Sequence, residues 1–158
     1  MRRVYLETSV VSYLAARPSR DVVVAAHQQL TRDWWDRRSE FDLFISDPVF
    51  EEACRGDREA AQRRLAFLKG IPVLTAHPDA LGLARSFLSE AALPSKAAID
   101  AVHVALAAVH GMDFSLTWNC THIANARIRP QLEVLCWRAG HRPPVICTPF
   151  ELLDEDEP

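Results

Sequence analysis

The chain has 158 residues, 49% of them hydrophobic and 25% charged, proportions that fit one soluble globular domain and exclude a disordered or fibrous chain. A formal net charge of −3 makes no global electrostatic case for nucleic acid, neither supporting nor excluding RNA, and leaves a local basic surface to make one. No uncharged run reaches the roughly 20 residues of a membrane helix, no apolar leader follows Arg2 and Arg3, and Cys54, Cys120, Cys136 and Cys147 lack the close pairing of a zinc site, so a cytoplasmic protein with free thiols and no membrane partner is expected.

In chain order, Val4-Tyr5-Leu6 is a β-branched and aromatic run that stops at Glu7-Thr8-Ser9. Val10, Val11, Tyr13 and Leu14 then resume on one helical face, which predicts a buried strand ending at Glu7, a turn and a helix start. Arg17-Pro18-Ser19-Arg20 is punctuation, and Asp21 caps a predicted helix to about residue 38 with Val23, Ala26, Leu30 and Trp34 as its buried stripe. Neighbouring residues cannot share a helix face, so Trp35 is left at a boundary where a second copy could cover it, and a homodimer is expected.

Phe41–Ser46 reads as a second strand, and Pro48 opens a short helix over residues 49–54. A charged helix follows over 58–69 with Gly70 as its C-terminal cap. Residues 71–75 form a third strand, whose Pro72 suits an edge position. Pro78 and Asp79 open a helix to about Ala92, Pro94 stops it, and Ser95 caps the next one, which runs to about His110 and ends at Gly111. Residues 114–117 are a fourth strand. A helical stretch from Thr121 is interrupted near Pro130 and resumes to Arg138; Val145–Cys147 is a fifth strand, and a terminal turn follows. One domain over 1–153 with an acidic tail at 154–158 is predicted. Short strands alternating with longer helices predict a three-layer α/β/α sandwich with a mainly parallel four- or five-stranded sheet and residues 4–6 in its interior.

Ligands of such sheets bind beyond the carboxyl ends of the strands, which draws attention to three acids. Glu7 ends the first strand. Of the adjacent Glu51 and Glu52, one is expected to face solvent and the other the crevice. Asp100 lies in the first turn of the most apolar helix, where it serves either the unpaired amides of the helix start or a paired or metal-bound role. Clustered carboxylates repel one another unless a cation joins them. Hard Mg²⁺ or Mn²⁺ ions favour such oxygens and can act on a phosphodiester.

Four blocks carry a family resemblance. Val4-Tyr5-Leu6-Glu7-Thr8-Ser9-Val10-Val11-Ser12-Tyr13-Leu14 resembles the opening motif of PIN domains, and Ser46-Asp47-Pro48-Val49-Phe50-Glu51-Glu52 resembles their second block. Ile99-Asp100-Ala101-Val102-His103-Val104-Ala105-Leu106-Ala107 resembles the third. Ser115-Leu116-Thr117-Trp118-Asn119-Cys120-Thr121-His122-Ile123-Ala124-Asn125 is similar to the fourth, in the VapC-like branch. The resemblance implies a divalent-metal endoribonuclease, commonly the toxin of a toxin–antitoxin pair, acting on RNA, often a homodimer and inhibited by a small antitoxin. It implies Glu7, Glu52 and Asp100 as charged metal ligands, with Asn119 assisting or positioning water. Two positions depart from the pattern: Glu7 stands where an Asp is usual, and Asn119 where the last acid is usual. A catalytically weak or inactive module that binds RNA or protein is therefore the alternative.

Thr8, Ser9 and Thr117 either support that site or cap the backbone. Arg127 and Arg129 either face an RNA backbone or are ordinary solvated arginines. His103 and His110 are assigned structural or surface roles, since no further ligand completes a zinc pattern. Thr8-Ser9-Val10 stands where a phosphate-binding loop would need glycines, and no Gly-x-Ser-x-Gly elbow exists.

Overall fold

The computed structural model describes residues 1–90 and 93–153. The elements are β1 (Arg2–Leu6), α1 (Thr8–Ala15), α2 (Val22–Asp36), β2 (Phe41–Ser46), α3 (Asp47–Ala53), α4 (Arg58–Leu68) and β3 (Val73–Leu74). They continue with α5 (Pro78–Ser89), α6 (Ala98–Val109), β4 (Phe114–Leu116), α7 (Arg129–Arg138) and β5 (Val145–Cys147). The five strands form one sheet in the order β3-β2-β1-β4-β5, with every neighbouring pair parallel.

The apolar run predicted to be interior is the central strand. Val4, Tyr5 and Leu6 are all buried, as expected of a parallel strand covered on both faces. Two apolar clusters form the core. One gathers Phe87 of α5, Val104 of α6 and Leu132 of α7; the other gathers Val4, Leu6, Val10, Trp34, Ile45 and Val49 around β1, β2 and their crossover helices. The strand carrying Pro72 at its start, β3, lies at an edge, where the missing proline donor is harmless, and the Pro72 carbonyl still accepts from the Ile45 amide at 3.0 Å. Gly70, just beyond α4, has φ +83 and Gly111, just beyond α6, has φ +66, left-handed values that side chains disfavour.

Several local expectations are corrected. The buried face of α2 consists of Gln28, Thr31 and Trp34, while Val23 is 63% exposed and Ala26 is exposed. Polar contacts turn the helix: Gln28 Nε2 donates to the Arg17 carbonyl and its Oε1 accepts from the Ser19 amide, both at 3.0 Å, which ties α2 to the preceding loop. Ser95 does not cap α6, because residues Ser95–Ala97 first wind a 3-10 turn and Ala97 is the N-cap, with no side-chain bond. Residues 121–128 form turns, and Pro130 opens α7 in its first turn instead of interrupting a longer helix. Trp35 lies half-buried at the boundary, packed edge-on against Phe67 at 5.6 Å with the Arg38 guanidinium 4.8 Å over its ring. The predicted extension of α5 to Ala92 and the acidic tail at 154–158 lie outside the described residues. Among the described residues no helix is long and apolar enough to cross a membrane.

Candidate metal centre

The site is assembled at the carboxyl end of β1. Leu6 pairs with Leu116, so the residues that follow them, Glu7 and Thr117, meet beyond the sheet. Glu7 leaves the strand as the N-cap of α1 and is buried. Its Oε2 accepts from the Ser9 amide at 3.1 Å, from the Thr117 hydroxyl at 2.7 Å and from the Ser9 hydroxyl. On the neighbouring crossover, Glu51 of α3 is exposed and Glu52 is half-buried. Glu52 Oε1 accepts from Thr8 Oγ1 at 2.8 Å and contacts His103 Nε2 at 2.5 Å.

His103 belongs to a column that reaches into the core. Its Nδ1 lies 2.6 Å from the Tyr5 hydroxyl, which lies 2.7 Å from Ser46 Oγ; all three of these residues are buried. Burial, and with it the charges of Glu7 and Glu52, pushes the Tyr5 phenol far above its ordinary range against the pull of Ser46, so it remains a neutral hydroxyl. Burial also pushes the Glu52 carboxyl up, but the His103 hydrogen bond and charge, the Thr8 hydroxyl and the Arg55 charge together outweigh it and leave Glu52 below its ordinary value.

Asp100 joins from α6, where no side chain caps the first turn. Its Oδ2 lies 2.9 Å from His122 Nδ1. The His122 amide in turn donates to Asn119 Oδ1 at 3.0 Å, and the Asn119 amide donates to Thr117 Oγ1 at 2.9 Å. Glu7, Thr117, Asn119, His122 and Asp100 thus form one continuous hydrogen-bonded chain.

One donor atom each from Glu7, Glu52 and His103 lie within 4.8 Å of one another, a cluster capable of holding a divalent cation. Asp100 stands outside that tight group, one helical turn from His103 on the same face of α6. The three carboxylates share a pattern: each has one oxygen engaged by protein donors, while Glu7 Oε1, Glu52 Oε2 and Asp100 Oδ1 accept no hydrogen bond among the described residues. The side chains of Glu52 and Asp100 are 27% and 21% exposed, whereas Glu7 is buried. Rich in oxygen and held from behind, the site is suited to a divalent cation. His103, with Nε2 against Glu52 and Nδ1 against Tyr5, is placed to orient Glu52 more than to ligate an ion.

Of the hydroxyl residues singled out from the sequence, Thr8 contacts Glu52, and Ser9 and Thr117 contact Glu7. Arg127 is exposed, whereas Arg129 Nη1 donates to the Ile146 carbonyl at 2.9 Å. His110 contacts the Thr75 carbonyl. The sequence reading overlooked His122 and left His103 without a partner. The available signals were the three-residue spacings Asp100 to His103 and Asn119 to His122.

No protein-family model matches the sequence, and no curated protein matches it. In structure the chain is similar to a chain of VapBC2 from Rickettsia felis, solved bound to a DNA fragment from their promoter, with a TM-score of 0.61, 15% identity, and coverage of 92% of this chain and 98% of that one. It is also similar to VapC20 from Mycobacterium tuberculosis, a Sarcin-Ricin loop cleaving toxin, with a TM-score of 0.58, 17% identity, and coverage of 75% of this chain and 92% of that one. At these identities the likeness is one of fold: a PIN-like α/β/α sandwich.

Proposed function

We propose that the chain is a divalent-metal-dependent endoribonuclease, with Mg²⁺ or Mn²⁺ held by Glu7, Glu52 and Asp100. The observation that carries this reading is the trio of carboxylates, each with one oxygen fixed by the protein and the other accepting no hydrogen bond among the described residues. A cation bound there supplies charge neutralisation to phosphodiester oxygens and a more acidic water. The chain's own groups hold the site: Ser9 and Thr117 aim Glu7, Thr8 and His103 aim Glu52, and His122 aims Asp100. Asn119, whose Oδ1 takes the His122 amide, keeps Nδ2 as a donor able to position a water or a phosphate oxygen. Arg127, exposed beyond this loop, is free to meet the RNA backbone, while Arg129 has its Nη1 committed to the Ile146 carbonyl and keeps its other donors.

The structural likeness to VapBC2 and VapC20 supports a VapC-like toxin role with a small antitoxin as partner; a homodimer is proposed as the active assembly. The second reading, a catalytically weak or inactive module that binds RNA or protein, is favoured by the uncharged Asn119 and by Asp100 lying outside the tightest cluster. Incubating purified protein with RNA in Mn²⁺, Mg²⁺ or chelator separates the two. Cleavage that needs metal and disappears in Asp100→Asn supports the nuclease; metal-independent binding without cleavage supports the module. Light scattering over a range of concentrations reads the oligomeric state, and a monomer throughout refutes the dimer.

A further inference from the structure

Three aromatic rings lie beside the candidate centre and outside both core clusters. His27 of α2 stacks on Trp118 with ring centroids 4.1 Å apart and planes 13° apart. Tyr13 of α1 tilts against both, 5.9 Å from His27 and 5.8 Å from Trp118. All three are half-buried, and neither Tyr13 nor Trp118 packs with either apolar cluster. Large aromatic surface is normally what a core consumes first, so its placement at the rim needs another occupant.

The orientation of the rings is fixed and tied to the site. Trp118 Nε1 donates to Thr31 Oγ1 at 2.7 Å, and Thr31 Oγ1 donates to the His27 carbonyl at 2.6 Å. The indole therefore has no unmet donor, and His27 covers one of its faces. The Trp118 amide donates to Ser9 Oγ at 2.8 Å, and Ser9 Oγ contacts Glu7, so the rings begin two hydrogen bonds from a carboxylate of the centre. Tyr13 stands one helical turn beyond Ser9 on the same face of α1.

We infer that the Tyr13–His27–Trp118 cluster is a subsite for one unpaired nucleobase, next to the phosphate positioned at the carboxylates. The inference rests on the ribonuclease reading for the position of that phosphate. Pre-oriented rings beside a phosphate-handling centre match the way proteins hold single-stranded nucleic acid, by stacking bases on aromatic faces. The indole, its donor already met by Thr31, contributes stacking and no hydrogen bond to the base. A base held in a duplex cannot reach such a platform, so single-stranded RNA is the form selected.

The test is fluorescence anisotropy with a short mixed-sequence RNA oligonucleotide and a set of copies each lacking one base, against the full chain carrying Asp100→Asn to keep the RNA intact. One abasic position is expected to weaken binding by about 5- to 150-fold, the range of one aromatic–base stack. Adding Tyr13→Leu or His27→Leu is expected to cost the same factor and to abolish the penalty of that abasic position, while His27→Phe retains both affinity and penalty. Circular dichroism of each variant checks that the fold is kept. Abasic penalties that are identical with and without the aromatic residues overturn the subsite even if the wild type cleaves RNA, and so does failure of the parent to bind RNA. A stacking pattern that survives in a protein unable to cleave upholds the subsite and refutes only the nuclease.

Discussion

Replacing Tyr5 with Phe tests whether the core and the metal centre are joined through the Ser46–Tyr5–His103–Glu52 column. The ring volume stays, and only the hydroxyl between Ser46 Oγ (2.7 Å) and His103 Nδ1 (2.6 Å) is lost. Both partners are buried and have no water to turn to. A buried polar group left unpaired costs about 1–3 kcal/mol. The fold already tolerates one buried hydroxyl without a partner, that of Ser115, so the Ser46 share belongs at the low end and a total of about 2–4 kcal/mol is expected. In a domain of this size that lowers the melting temperature by roughly 5–15 °C. Urea unfolding should show a lower midpoint with an unchanged slope. Ser46→Ala combined with Tyr5→Phe should be less damaging than the two changes added, with a coupling of about 0.5–3 kcal/mol. Because His103 loses its rear support, Mn²⁺ affinity should also fall by about 10- to 100-fold. A Phe variant within about 0.5 kcal/mol of wild type, with Mn²⁺ affinity intact, would refute the coupling.

Other outcomes follow from the same contacts. The carboxyl of Glu52 is held below its ordinary value of 4.5, so its contribution to stability is present above that pH and lost as pH falls through the depressed folded value; in chelator, the melting-temperature gap between wild type and Glu52→Gln should close on the acid side and stay open at neutral pH. Asn119→Asp keeps the acceptor for the His122 amide and adds a charge near the carboxylates, so calorimetry should read tighter Mn²⁺ binding. Burial, with the neighbouring Glu133 and Glu151 charges, pushes the Cys136 and Cys147 thiols up to about 12, whereas Cys54 and Cys120 are exposed; a thiol reagent at neutral pH should label only the exposed pair in the native protein, as mass spectrometry of peptides can establish.

Hydrophobic pattern made the architecture legible. The β-branched and aromatic run at residues 4–6 reads as a buried strand, and it is the central one; Pro72 at the start of β3 marked the edge. Pattern failed where polar contacts set the orientation, as in α2, where Gln28 and Thr31 are buried because a loop carbonyl and an indole satisfy them. At the centre, the placement of Glu7, Glu52 and Asp100 near strand ends and helix starts was readable from their positions alone. The groups that aim them were not. His103 meets Glu52 across 51 residues, and His122 meets Asp100 across 22, and helical or strand periodicity holds no information about which polar atoms meet between elements. Asp100 illustrates both sides: its position in the first turn of α6 was plain, and its imidazole partner came from a loop whose helical reading was itself mistaken.

The central claim, that Glu7, Glu52 and Asp100 hold a divalent cation, is tested most directly by calorimetric Mn²⁺ titration of wild type and Asp100→Asn. Asparagine preserves volume and can still accept from His122 Nδ1, while one negative charge leaves a cluster of like charges, so stability of the metal-free variant should equal or exceed that of wild type. Mn²⁺ affinity should fall by more than the roughly 10- to 100-fold that loss of an outer supporting group costs. An Asp100 that serves only the start of α6 gives the opposite pair of results: stability lower by up to about 1 kcal/mol and Mn²⁺ affinity equal to that of wild type, which would contradict the proposed centre.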